Sequence, residues 1–291
     1  MKKILSILVL AFFTLNLQAQ ATYSGFIDKY PIELVTNIYS DGVVTAFYMY
    51  TKFDEPIKLD GTFKNDVLVL SEKDSAGKKK ASMVFNNFSK TNTQAEGIWK
   101  DLSTNKELKI TLTKTYDIDY GDAVEWTNRE LLQPASLPGK YFKLIISKEK
   151  GSTFARATGI KILEKKTDRL NQQLSLDCQL SGADNVSVGD YNFDGIADFS
   201  VFEQSYAGPN TSSVYFLFDP KTGKYFKSSF EGTSLGFDPV KKRVYEHNQC
   251  CAGRSHVNAE YKVVNNKMVL IKKTCLEYDE QKEDFKEVKC Q

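Results

Sequence analysis

The most specific chemistry in this 291-residue chain lies in one short stretch of its C-terminal half. Asp190-Tyr191-Asn192-Phe193-Asp194-Gly195-Ile196-Ala197-Asp198 has the form D-x-N-x-D-G-x-x-D. When such a loop curls, the side-chain oxygens of Asp190, Asn192 and Asp194 converge on one point. Gly195 permits the sharp turn, and the carbonyl of Ile196 with the carboxylate of Asp198 completes a shell. Hard oxygen ligands in a flexible ring suit calcium better than zinc or magnesium. An EF-hand would carry Glu at the twelfth position, where this chain has Val201, and helices on both sides. Val186-Ser187-Val188 and Phe199-Ser200-Val201-Phe202 read as strands instead. The loop is therefore expected to join two strands and to bind calcium in a structural role, because its carboxylates repel one another without a cation. A metal-free Asp/Asn hairpin is the competing reading.

Two polar loops follow. Glu203 to Ser212 is a turn bent and stiffened by Gly208 and Pro209, and Asn210, Thr211, Ser212 and Tyr215 offer hydrogen-bonding groups at a strand edge. A stiff, neutral loop of this kind suits insertion into a groove, because it loses little entropy on binding. A satisfied β turn is the alternative. Asn248 to His256 crowds Cys250, Cys251, Gly253, Arg254 and His256 together, and Arg254 can pair with an acid on a partner.

All five cysteines, Cys178, Cys250, Cys251, Cys275 and Cys290, fall in the C-terminal half, as disulfides confined to one domain would. Cys275 and Cys290 flank a charged turn, and a strand-turn-strand would bring them together. Closing that loop is worth roughly 3 kcal/mol in the chain-entropy model. Cys250 and Cys251 are adjacent, and neighbouring residues of a strand point to opposite faces. At most one of them is expected to pair with Cys178, and the odd total leaves a thiol over. Zinc held by Cys250, Cys251 and His256 fits no standard spacing. A cysteine nucleophile beside His247 or His256 has no supporting signature.

The elements that must position these residues are strands. Val43 to Tyr50, Val67 to Leu70, Ser82 to Phe85 and Leu108 to Leu112 are short alternating or apolar runs. Turn chemistries such as Ser40-Asp41-Gly42, Asp60-Gly61 and Lys64-Asn65-Asp66 separate them. Lys2 and Lys3, the apolar run Ile4 to Leu15 and small residues near Ala19 read as a secretory signal peptide. The run is too short to span a bilayer. Its removal leaves Lys+Arg and Asp+Glu in balance, which argues against a nucleic-acid binder. The expected organisation is a signal peptide over 1–20, an N-terminal β domain over 21–115 and a linker over 116–138. A calcium-loop, disulfide-containing β domain then runs over 139–291. The linker is acidic at its start and is expected to carry a short helix over Glu125 to Leu132. The fold class is all-β: two antiparallel sandwich or barrel-like domains, exported to the periplasm or the exterior. With no G-x-S-x-G elbow, no paired-carboxylate signature and only two histidines, the chain is not expected to be an enzyme.

Two resemblances add to this. Gly25-Phe26-Ile27, Tyr30-Pro31-Ile32, Phe47-Tyr48-Met49-Tyr50, Pro56-Ile57-Lys58-Leu59 and Glu96-Gly97-Ile98-Trp99 follow one another as in a β domain of exported bacterial proteins, one found beside lysozyme-inhibitor-like modules. From about residue 140 onward the chain resembles periplasmic immunity proteins that inhibit lysozyme-like effectors of type IV secretion. Val188-Gly189-Asp190 to Gly195, Asp198-Phe199-Ser200, Gly208-Pro209-Asn210-Thr211-Ser212 and Leu235-Gly236-Phe237-Asp238 carry that resemblance. It implies inhibition by a loop entering the cleft of a muramidase. The family's Ser-Gly-x-x-Tyr loop has its nearest counterpart here in Ala207-Gly208 through Ser212 to Tyr215, at a different spacing. The rival function is a calcium-stabilised surface or adhesion module that binds glycan or protein.

Overall fold

The computed structural model describes residues 19–118, 124–152, 154–206 and 208–290. The expected signal peptide lies outside them up to Gln18, while Ala19 and Gln20 already belong to the first strand. Apart from one short 3-10 turn, the regular elements of the described chain are all strands.

Eight strands form a closed antiparallel barrel: β1 (Ala19–Ile27), β2 (Tyr30–Ile38), β3 (Val43–Tyr50), β4 (Ile57–Lys64), β5 (Val67–Lys73), β6 (Lys79–Phe85), β7 (Gln94–Asp101) and β8 (Glu107–Asp117). Each pairs with the next, and β8 pairs back with β1. The period-2 pattern turns Tyr23, Leu34, Tyr48, Leu70, Phe85 and Ile110 inward as a packed core. The outer wall carries ion pairs such as Lys73–Asp60 and Lys109–Glu96. An apolar interior under a charged exterior is the inverse of a membrane barrel. No described helix is long and apolar enough to cross a membrane. Asn65 and Asp66 both take positive φ, as the two-residue turn between β4 and β5 requires.

The rest of the chain forms three open antiparallel sheets. The first holds β9 (Trp126–Leu137), β10 (Lys140–Lys148), β11 (Arg156–Glu164) and β12 (Leu170–Gln179). The second holds β13 (Val186–Gly189), β14 (Asp198–Ser205), β15 (Thr211–Asp219) and β16 (Lys224–Lys227). The third holds β17 (Gly236–Asp238), β18 (Arg243–Cys250), β19 (Ser255–Val264), β20 (Lys267–Asp279) and β21 (Asp284–Val288). The helix expected over Glu125 to Leu132 is corrected to β9. Leu131 pairs with Leu144 of β10, and consecutive Leu131, Leu132 and Gln133 are all buried. A segment covered on both faces follows its neighbours and not its local propensity.

The first two sheets share a core in which Phe142 and Phe199 lie 4.9 Å apart between ring centroids. Val35, Phe47 and Met49, on the outer wall of the barrel, belong to the same core. Polar links reinforce that seam: Lys143 to Glu33 at 2.7 Å, the Lys166 amide donating to Asp54 at 2.6 Å, and Lys165 to Glu55. The five-stranded sheet leans on the second sheet through Tyr191, Tyr215, Phe230 and Phe237.

Candidate functional site

The Asp190–Asp198 loop joins β13 to β14, as expected for strand flanks. Gly195 takes φ +88 and Phe193 φ +65, and these two residues make the sharp turn. The side-chain oxygens face the loop's own backbone. Asp190 accepts the N–H groups of Asp194 at 3.0 Å and Gly195 at 2.8 Å, and Asp194 accepts that of Ile196 at 2.8 Å. Asn192 donates to Asp194 and to Asn266 of the third sheet. Asp198 is 0% exposed and accepts the Tyr191 and Phe218 amides at 3.0 and 2.8 Å. Burial pushes its carboxyl up to about 6 against those two amides, and Asp194 adds to the rise.

Among the described residues, no three His, Cys, Asp or Glu side chains gather as a metal-holding group. The donor set is nevertheless all oxygen, and it includes a buried carboxylate whose charged neighbour, Asp194, has the same sign. In kind it fits a hard cation. The loop is also a joint. Lys242 donates to the Phe193 carbonyl at 3.2 Å, and Tyr191 packs on Phe237 at 4.7 Å.

The two polar loops singled out above come together. The turn between β14 and β15 and the 3-10 turn Cys251–Gly253 between β18 and β19 form the walls of a cleft of about 590 Å³. Asn210 holds them in register. Its amide donates to the Gln249 carbonyl at 2.7 Å and to Asn248 at 3.1 Å, and its oxygen accepts the Gln249 N–H at 3.2 Å. One side chain thus serves the Gln249 backbone as a neighbouring strand would.

That role changes the reading of the loop. Asn210, Ser212 and Tyr215 are buried, which corrects their assignment to an inserting surface. Ser212 donates to Glu203 at 2.8 Å and receives the Tyr206 hydroxyl at 3.3 Å. Tyr215 faces the aromatic cluster, 5.0 Å from Tyr191 between centroids, because inward positions of β15 alternate. Thr211 is held by Ser234. Gly208 remains exposed, with Tyr206 and Pro209 beside it. Arg254 is exposed and pairs with Glu280 of its own chain, over the ring of Tyr278. Tyr206, Pro209, Thr233, Asn248 and Gln249 line the cleft and were not picked out from the sequence as site residues. An aromatic next to Gly-Pro was a usable signal for the first two. Asn248 and Gln249, in β18, open the Asn248 to His256 stretch singled out above, whereas Thr233, between β16 and β17, carried no signal.

Cys275 and Cys290 form a disulfide across the β20–β21 hairpin, with Cα atoms 5.3 Å apart. Cys178 is buried in the shared core, whereas Cys250 and Cys251 are exposed. Neither is bonded to Cys178, which stays within the limit of at most one such pairing. The histidines are committed elsewhere: His247 to Asn258 at 2.6 Å, and His256 to the Gly253 carbonyl at 2.9 Å.

No protein-family model matches the chain, and no curated protein does. Among solved structures, it matches that of a Xanthomonas type IV secretion system related protein, at 11% identity and a TM-score of 0.27. That match covers 94% of this chain and 100% of the other. A likeness at this level defines neither a shared fold nor a shared function.

Proposed function

We propose that this chain is an exported, non-catalytic inhibitor of a lysozyme-like peptidoglycan hydrolase, of the immunity type. Exposed Tyr206, Gly208 and Pro209, with the adjoining turn at Cys251 to Arg254, form the part that enters the enzyme's cleft. One observation carries this reading: the Asn210 clasp fixes two exposed loops side by side before any partner arrives. A preorganised pair of loops loses little entropy on docking. The Arg254 guanidinium, and the Tyr206 hydroxyl once it turns from Ser212, are the donors offered to a muramidase's catalytic carboxylates. Occupying those carboxylates stops glycoside hydrolysis. The Arg254–Glu280 pair is exposed, so releasing Arg254 costs little. Calcium on Asp190, Asn192, Asp194, the Ile196 carbonyl and Asp198 would brace the joint behind these loops.

The experiment is peptidoglycan lysis by a panel of muramidases, titrated with the full chain. Stoichiometric inhibition, lost in Tyr206→Ala and Arg254→Ala variants that still fold, supports the reading. Full inhibition by both variants removes these loops from the interface.

The concave shape of the cleft favours a second reading, a glycan-binding module. Tyr206 and Pro209 offer apolar surface against which a sugar face can stack. Binding of soluble peptidoglycan fragments without inhibition of any muramidase would select it.

A further inference from the structure

Cys250 and Cys251 stand at the lip of the cleft, and their sulfur atoms are 2.9 Å apart. That is well inside the sum of two sulfur van der Waals radii. In a continuous strand the two side chains would point to opposite faces. The backbone at this point prevents that. Cys250 is extended at φ −135, and Cys251 then turns left-handed at φ +58, which swings its sulfur to the side of Cys250. Ala252 at φ +56 and Gly253 at φ +80 continue the turn. Two consecutive non-glycine residues in this region persist only where the surroundings over-determine them. Around the turn, the Arg254 amide donates to the Cys251 carbonyl at 3.2 Å, and His256 donates to that of Gly253. The same sheet already carries the Cys275–Cys290 disulfide.

We propose that Cys250 and Cys251 form a vicinal disulfide, a ring closed through their own peptide bond, which locks this turn and serves as a thiol–disulfide switch on the cleft wall. The inference is independent of what the cleft binds. The oxidant is a disulfide of low molecular weight or of an oxidoreductase. One cysteine thiolate attacks it, and a mixed disulfide forms as one thiol leaves. The second thiolate then attacks the mixed disulfide, closing the ring and expelling the other thiol. Both cysteine protons end on the two thiols released, so the external disulfide is reduced as the pair is oxidised. Adjacent Cα atoms lie about 3.8 Å apart across a trans peptide, below the roughly 4.4–6.8 Å of ordinary disulfides. The ring is therefore strained and exposed, the condition of a labile, regulatory bridge. Reduction frees the turn and relaxes that wall of the cleft.

The test uses the full chain equilibrated with oxidised glutathione, alkylated in denaturant and digested with trypsin. Cleavage after Arg243 and Arg254 gives one peptide, Val244–Arg254, that holds both sulfurs and no other cysteine. The expected peptide is lighter than the dithiol by two hydrogens and takes up label only after reduction. The whole chain should then show one titratable thiol, that of Cys178, and in Cys250→Ser the orphaned Cys251, with no neighbour to resolve its mixed disulfide, should carry glutathione. A glutathionylated Val244–Arg254 peptide in the unaltered chain, or a cross-link to the Cys178 peptide, overturns the proposal. In graded dithiothreitol, Val244–Arg254 should acquire label at weaker reducing poise than the peptides of Cys275 and Cys290. Equal or greater resistance overturns the switch.

Discussion

Asn210 sets the spacing of two loops with one amide, so its replacement separates clasp from bulk. Asn210→Asp keeps the size but turns the donor into an acceptor facing the Gln249 carbonyl and Asn248. The expected cost is about 1–3 kcal/mol, the penalty for buried groups left without partners. Urea denaturation reads it, and faster proteolysis between Tyr206 and Asn210 locates it. Cys178 gives a second prediction. Burial pushes its thiol from 9.0 up to about 11, so the folded state holds a proton that the unfolded chain releases earlier. Native Cys178 should resist alkylation at pH 8 and label only on unfolding. Because the folded state binds more protons across that window, its contribution to stability falls as pH rises from 9 to about 11.

Strand pairing sets what the barrel tolerates. A Cβ on Gly25 would lie 2.1 Å from the Thr111 carbonyl, at the seam where β8 closes on β1. Gly25→Ala should cost about 3 kcal/mol or more, because backbone must move to admit it. Gly77, in a hairpin tip at φ +79, has no heavy atom within 4 Å of a built Cβ. Gly77→Ala should cost only about 1 kcal/mol, the conformational term alone. Thermal melts of the pair distinguish the two effects, and similar losses would show that closure is not what Gly25 protects.

Across the whole molecule the Asp190–Asp198 loop joins the second sheet to the third through Asn192–Asn266 and Lys242–Phe193. If calcium occupies it, saturating ion should stabilise by about 3 kcal/mol at a hundredfold excess over Kd. That corresponds to a rise in Tm of about 5–10 °C. Asp190→Ala should abolish the rise while folding in its absence. An equal Tm in calcium and in chelator would leave the loop as a hairpin held by its own amides.

The sequence by itself determined the all-β character, the barrel's alternating faces, the Asn65-Asp66 turn and the Cys275–Cys290 hairpin. All of these rest on local signals: a period of two, turn residues that accept positive φ, and cysteines a few residues from one turn. Tertiary structure alone decided that Glu125 to Leu132 is strand, that Asn210 and Tyr215 face inward, and that Cys250 and Cys251 share a side. Each depends on partners far along the chain or on one left-handed residue. A helix signal carries no information about the sheet that will cover it. An Asn before a strand does not name the carbonyl, thirty-nine residues on, that it will bind. Alternation puts neighbouring cysteines on opposite faces until a single φ of opposite sign brings their sulfurs together.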